Sequence, residues 1–476
     1  MGRNASAASL FRLCRFYCQT AHETLKCWLV CVGNHKVSST TELREVEDAM
    51  SKPEVAISRI ETAIPPVPLS PEATQLDYGF LADLTLKTVY ADANCTTERA
   101  AQKLKLSMPV TENLLQHLYR EKFVEIRGLV SYGNNRYGLL DRGWQRAQQL
   151  LDMNGYIGPA PVSLPAYSEM VLRQSAARDP VRSEAVHSAM SGLVLPESTV
   201  QTLGLVANSR RSLFMTGPSG NGKTSIALAL HTAQRGEIWI PYAVEVDGQV
   251  IKIFDQHNHQ QTPVTGADRY DERWIKIKRP IVVVGGEMTI ETMDLIYSST
   301  VRFYEAPFQM KSNGGTLVID DFGRQRVDPH DLLNRWIVPL EGRIDYLTLH
   351  TGKKIEVPFE QLLIFATNLD PSDLVDDAFL RRMGYRLYIT PPDRQMYTMI
   401  FEQYARSMGF EYHAKYIEYL FRLYEVDKRP LRACEPRDLI QRCADLCKYE
   451  NIPMELSNDL LHLAWQNYFG AAPSVH

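Results

Sequence analysis

Residues 217–224 read Gly-Pro-Ser-Gly-Asn-Gly-Lys-Thr, which fits the spacing G-x-x-x-x-G-K-[ST]. Glycines at 217, 220 and 222 let the chain curl until its N–H groups converge on one point. A helix beginning there would add the positive end of its dipole. Lys223 would neutralise the β- and γ-phosphates, and the Thr224 hydroxyl would ligate a cation. Gly217, Pro218, Ser219, Gly220, Asn221, Gly222, Lys223 and Thr224 are therefore expected to cradle ATP with Mg²⁺. Residues 316–321, Thr-Leu-Val-Ile-Asp-Asp, supply the complementary half. An apolar strand there delivers two carboxylates. Asp320 would hold Mg²⁺ through water, and Asp321 would polarise an attacking water. A glycine turn can arise by chance and a carboxylate pair is common. The two together, in this order, are a specific signal.

The elements that must position these residues are legible around them. Residues 212–215 read as a strand and 225–232 as the start of a helix, the context a phosphate-binding loop requires. Across the C-terminal region short apolar strands alternate with helices, as in a parallel α/β sheet, whose ligands bind at the C-terminal strand ends. The expected fold is thus an α/β P-loop core with a parallel sheet, followed by a helical lid. In the lid, Leu439, Ile440, Cys443 and Leu446 form one apolar stripe, and Leu456, Leu460, Leu463 and Ala464 another.

From these residues the chain resembles the AAA+ ATPases over roughly residues 193–450. Residues 362–368, Leu-Leu-Ile-Phe-Ala-Thr-Asn, look like the strand ending in the sensor-1 residue, here Asn368. The resemblance implies that Asn368 orients water beside Asp321. Residues 378–386 look like the arginine-finger segment, with Arg381 and Arg382 the candidates and Arg386 a lesser one. Arg437, within Glu435-Pro-Arg-Asp-Leu, looks like sensor 2. Taken singly, each arginine reads sooner as a surface ion pair; their order and spacing after the glycine-rich loop reverse that. A finger reaching a neighbour's γ-phosphate implies a homo-oligomer, most simply a hexameric ring. Two β-like runs, 344–349 and 354–357 about Thr351-Gly352, resemble the group with a β-hairpin before sensor 1. That group holds MoxR-type chaperones, magnesium-chelatase motors and enhancer-binding activators. The activators' GAFTGA loop is absent, with residues 297–304 in that neighbourhood. Asp321 also stands where glutamate is commoner.

The remaining chain divides by composition. Residues 1–52 form an unassigned leader, and 53–75, with Pro53, Pro65, Pro66, Pro68 and Pro71, an extended linker. Residues 76–153 read as three helices, two short strands at 123–126 and 136–140 about a turn at Gly133-Asn134-Asn135, and a helix from Asp141. This order resembles a winged helix-turn-helix. From Glu98 to Asp152 nine basic residues stand against six acidic ones, too mild a surplus to decide between DNA and protein docking. Residues 154–192 read as a second linker, 193–395 as the ATPase core with an insert at 236–280, and 396–476 as the lid. In the insert, runs at 238–246 and 250–254 flank Asp247-Gly248, a hairpin signal. The polar stretch after it, with Asp255, His257 and His259, reads as a solvated loop sooner than a metal site.

The net charge of −4 argues against a protein coated for nucleic-acid binding. No apolar run approaches the roughly 18 residues that span a bilayer. The run at 25–32 is short and holds Lys26. The eight cysteines do not make a disulfide scaffold in a chain of 476 residues, so a reducing, cytoplasmic setting is expected. Cys14, Cys18, Cys27 and Cys31, near His22 and His35, are spaced too widely for the common zinc patterns. Arg3, Arg12 and Arg15, with no acid before Glu23, hint at a targeting peptide without a clean cleavage pattern. The expected role is an ATP-hydrolysing remodeller acting on protein substrates. A nucleic-acid motor or regulator, or a nucleotide switch with little turnover, are the alternatives.

Overall fold

The structure, a computed structural model, describes residues 64–264, 269–370, 374 and 377–470. The leader with its four cysteines and the start of the proline-rich segment lie outside the described residues. The module begins with α1 (Tyr78–Tyr90), whose cap Asp77 accepts from the Phe80 N–H at 2.9 Å. Thr96 caps α2 (Thr97–Leu104) in the same way, and Pro109 sits in the first turn of α3 (Met108–Arg120). Val110, Leu114 and Leu118 of α3 are buried along one face, as their spacing predicts. The strands β1 (Val124–Ser131) and β2 (Asn134–Leu139) pair antiparallel, and α4 (Asp141–Met153) follows. The element order is the expected one, with one correction. The turn lies at Tyr132-Gly133, where Gly133 has φ +73°, and Asn134 and Asn135 already belong to β2.

Residues 154–192 are not an extended linker. They contain β3 (Val162–Ser163), α5 (Leu164–Ala176) and α6 (Ser183–Met190). Pro165 marks a helix start rather than a loop, because at that position its missing N–H costs nothing. Tyr167, Met170, Val171 and Gln174 of α5 are buried at helical spacing. After α7 (Glu197–Ser209) the core opens with β4 (Leu213–Thr216) and α8 (Lys223–Ala233).

The insert follows. The expected run 238–246 breaks at Tyr242, whose N–H is taken by the Arg273 carbonyl. Before the break, β5 (Glu237–Pro241) pairs with what proves to be a distant strand. After it, β6 (Ala243–Val246) forms the expected hairpin with β7 (Gln249–Lys252) about Asp247 and Gly248, both at positive φ. The partner of β5 is β8 (Trp274–Lys278), and β9 (Ile281–Val284) returns to the core. Two more strands, β10 (Ile296–Ser298) and β11 (Phe303–Glu305), precede α9 (Phe308–Lys311). They complete a second sheet in the order β10-β11-β7-β6-β3. Ala243 and Val250 of this sheet share one apolar core with α1, α2 and α3, so module and insert are packed together. The stretch after β7 is tied down rather than solvated. His259 is buried and its Nε2 bonds the Lys311 carbonyl, while Asp255 pairs with Lys311 at 3.0 Å. Among the described residues no cluster of side chains suits a metal ion.

The core continues through β12 (Thr316–Ile319), α10 (Pro329–Gly342), the hairpin β13 (Ile344–Thr348) with β14 (Lys354–Pro358), β15 (Leu362–Ala366), α11 (Asp377–Arg382) and β16 (Tyr385–Tyr388). The central sheet runs β16-β4-β15-β12-β9 with every pairing parallel. Its middle strands are buried end to end, which is why their sequences read as apolar runs without alternation. The lid comprises α12 (Arg394–Ser407), α13 (Ala414–Val426), α14 (Glu435–Glu450) and α15 (Asn458–Phe469). Leu439, Ile440, Cys443, Leu456, Leu460 and Ala464 are in its core as expected, whereas Leu463 is 43% exposed. The buried face of α15 instead takes in Leu461 and Trp465, each one residue on from Leu460 and Ala464. Among the described residues no helix is long and apolar enough to cross a membrane.

Candidate functional site

Parallel pairing puts the ends of β4, β12 and β15 on one edge of the sheet. Ile319 lies opposite Phe365, and Ala366 opposite Met215, so the three following loops emerge side by side. The loop after β4 is the glycine-rich one. Gly217 has φ +136°, and a Cβ there would lie 2.3 Å from the Ile389 carbonyl oxygen. Gly220, at φ +80°, would bring a Cβ to 2.7 Å from the Cys434 sulfur. Only glycine tolerates both conditions. At the head of α8 the Lys223 ammonium donates to the carbonyls of Gly217 at 2.8 Å and Pro218 at 3.0 Å. Burial pushes it below its ordinary value, and the carboxylates of Asp321 and Asp320 pull the other way.

Thr224 and Asp320 meet across 96 residues of sequence, with Thr224 Oγ1 donating to Asp320 Oδ2 at 2.7 Å. Both oxygens thus face one point beside Lys223, which is where a cation bridging the phosphates would be held. The oxygen donors are those a hard cation prefers, and the cleft between loop and lid, about 350 Å³, has room for a nucleotide's polar end. It is lined by residues 219–226 together with Asp320, Asp321 and Arg437, so the predicted phosphate residues from Ser219 to Thr224, the two carboxylates and Arg437 line one cleft, and Gly217 and Pro218 are not in its lining. Arg437 is steered by Asp438, its Nη2 lying 2.9 Å from the carboxylate.

Sequence reasoning missed two groups. The first is the loop before α14, where the Cys434 N–H donates to the Gly220 carbonyl at 2.9 Å and the Ala433 N–H to Asn221 Oδ1 at 3.2 Å. The lid is thereby latched onto the phosphate loop. No spacing rule could reveal a contact between segments so far apart in sequence. The second is Gln325. Its Nε2 donates to the Asp320 carbonyl at 3.0 Å and the Asp321 carbonyl at 3.3 Å, while its Oε1 accepts from the Gly323 N–H at 2.8 Å. It braces the turn in which Asp321 adopts φ +48°.

Asn368 and the finger arginines stand outside this cleft. Asn368 follows β15, beside the point where the Phe322 N–H donates to the Ala366 carbonyl, and its buried Oδ1 has no partner among the described residues. Arg381 and Arg382 line a separate cavity of about 340 Å³ at the opposite edge of the sheet, with Arg210, Arg211 and Arg343. Arg382 pairs there with Glu341 at 2.6 Å, and Arg386 donates to the Leu380 carbonyl at 3.0 Å.

A family described as a domain of unknown function (DUF8689) matches residues 393–467, which is the lid. A spastin from Ixodes scapularis is 23% identical over 287 residues, covering 57% of this chain and 36% of that protein. The chain therefore spans about a third of the length of the curated relative it matches. Among solved structures, NtrX from Brucella abortus in complex with ADP is 15% identical, with 64% of this chain and 62% of that chain covered and a TM-score of 0.39. The RuvB Holliday junction branch migration motor of Thermotoga maritima is 14% identical, with 57% and 69% covered and a TM-score of 0.35. The match to a spastin supports the AAA+ ATPase class at that breadth and no subgroup within it.

Proposed function

We propose that the protein hydrolyses ATP with Mg²⁺ and uses the cycle, as a ring, to remodel protein partners. The observation that carries this is the 2.7 Å contact of Thr224 with Asp320 beside Lys223, in a cleft closed by the lid that bears Arg437. Gly217 to Thr224 would hold the phosphates, and Thr224 and Asp320 the cation, whose charge would stabilise the transferred phosphoryl group. Asp321 would polarise the water, and Asn368, whose Oδ1 has no partner among the described residues, would orient it. Arg381 and Arg382 line a cavity apart from the cleft, so a contribution from them fits a neighbouring subunit.

For the partner class, the module offers apolar rather than basic surface. At the tip of its hairpin Leu129 is 71%, Val130 53% and Tyr132 fully exposed. Such side chains suit a protein surface better than phosphates. Including Lys87, Asp77, Asp83 and Asp92, the surplus of basic over acidic residues across 76–153 falls to one. The β13–β14 hairpin supports the group with a hairpin before sensor 1, of which the MoxR-type chaperones are the members that act on proteins.

The test is subunit mixing. Lys223→Ala should abolish turnover through loss of phosphate neutralisation, and Arg381→Ala with Arg382→Ala should abolish it through loss of the finger. Mixed, the two inactive proteins should regain activity, because intact loops then meet intact fingers. A mixture that stays inactive, or a double finger variant that turns over ATP normally, rejects the shared site.

A further inference from the structure

α8 begins at the nucleotide cleft and ends at the opposite edge of the sheet, where β9 and β12 start. His231 in its last turn bonds the hydroxyl of Thr316, the first residue of β12, at 3.0 Å. Beside it a cleft of about 220 Å³ is lined by four cations, Arg178, Arg235, Lys276 and Arg279, and two acids, Asp179 and Glu237. Glu237 is committed to Lys276 at 2.5 Å. Among the described residues Arg279 donates only to neutral groups, the carbonyls of Gly314 at 2.6 Å and Arg235 at 3.4 Å. Arg178 is less satisfied still, for its Nη2 is wholly buried and has no hydrogen-bond partner among the described residues. Burial and the positive charges of Arg279 and Arg210 pull the Arg178 guanidinium down to about 10, and Arg279 is depressed to the same level. Half-buried guanidinium groups close together, with no carboxylate bonded to either among the described residues, are costly, and an arriving anion would remove that cost.

We propose that this cleft binds a phosphate group, held between Arg178 and Arg279 with Arg235 at its rim. The arginine fork matches oxyanions with paired N–H groups. After the Lys276–Glu237 pair is set aside, three cations stand against Asp179 alone, a surplus of two. That surplus matches a phosphate near its dianionic form at neutral pH better than a singly charged carboxylate. The site is independent of the nucleotide cleft, which lies at the other end of α8.

Calorimetric titration of the full chain with inorganic phosphate tests this, with Lys223→Ala present throughout to weaken the response of the glycine-rich loop. Saturable binding is expected, and Arg178→Gln should weaken it at least tenfold, the loss of a charge-assisted pair. Arg178 makes no side-chain hydrogen bond among the described residues, so this variant should fold, as circular dichroism would confirm. Arg235→Gln, at the rim, should weaken binding less. An arm with adenosine monophosphate separates the sources: tighter binding than phosphate assigns the site to a nucleotide, and equal binding assigns it to the phosphate alone, both upholding it. Absence of saturable binding in the millimolar range, or an affinity unchanged in Arg178→Gln, overturns the proposal.

Discussion

Single side chains carry unequal burdens around the nucleotide cleft. Gln325 touches no expected ligand, yet it bonds both carbonyls of the turn that presents Asp320 and Asp321. Asp321 sits at φ +48°, a conformation that a residue other than glycine adopts only when its surroundings hold it there. Gln325→Ala removes that brace, at about 0.5–1.5 kcal/mol for each neutral hydrogen bond. Steady-state kinetics should show kcat falling roughly tenfold, with KM for ATP little changed because the glycine-rich loop is untouched. His231 makes a prediction about stability. Burial and the charges of Arg279 and Arg178 push it from 6.5 down to about 4, so the folded state favours the neutral ring. Its contribution is complete above the unfolded value near 6.5 and is lost as pH falls toward 4. The gap corresponds to roughly 3 kcal/mol. Denaturant titrations at several pH values should therefore show a shallower acid decline in His231→Gln than in the parent over that window.

At the scale of elements, the least expected feature is how module and insert are joined. Arg273 and Asp271, side chains 6% and 3% exposed, form a buried pair at 2.8 Å. Arg273 Nη1 also donates to the carbonyls of Thr74 at 3.2 Å and Pro161 at 3.1 Å, binding the insert to the segments on either side of the module. Removing one partner leaves the other charge buried and unpaired. Arg273→Met should cost about 3–5 kcal/mol in chemical denaturation, and Asp271→Asn added to it should recover part of the loss. Additive losses would show that the pair is not coupled. The strands and helices of the core were legible because each is a buried apolar run or a helical period closed by a cap. The 154–192 segment was misread because its prolines are ambiguous, serving a linker or the first turn of a helix equally well. The spacing of Tyr167, Met170 and Val171 was the better guide to α5.

For the whole molecule, the distribution of charge and apolar surface separates the two partner classes. Helix α3, the one that would enter the major groove if the module bound DNA, exposes Asn113, Gln116, Tyr119 and Arg120, with Glu112 partly exposed among them. Few phosphate contacts can form from such a face, and each contributes a salt slope of about one unit. The full chain is expected to bind duplex DNA no tighter than roughly 10⁻⁴–10⁻⁶ M at physiological salt, the non-specific range. Fluorescence titration at two salt concentrations measures this. A steep slope with sequence-selective binding would reverse the choice of protein partners in favour of nucleic acid.

By itself the sequence determined the residue types that line the cleft. A glycine-rich loop, a lysine, a threonine and an apolar strand with two carboxylates are local patterns, each dictated by what a few consecutive residues must do. It likewise determined β4, β12 and β15 of the central sheet and the hairpins β1–β2, β6–β7 and β13–β14, whose signals span fewer than about ten residues. Only the tertiary structure decided which loops meet. Thr224 reaches Asp320, the backbone at Cys434 latches onto Gly220, and Arg178 lies close to Arg279 because strand pairing and the packing of the lid and of α5 bring distant segments together. Such contacts depend on strand order and packing, and no run of neighbouring residues encodes them.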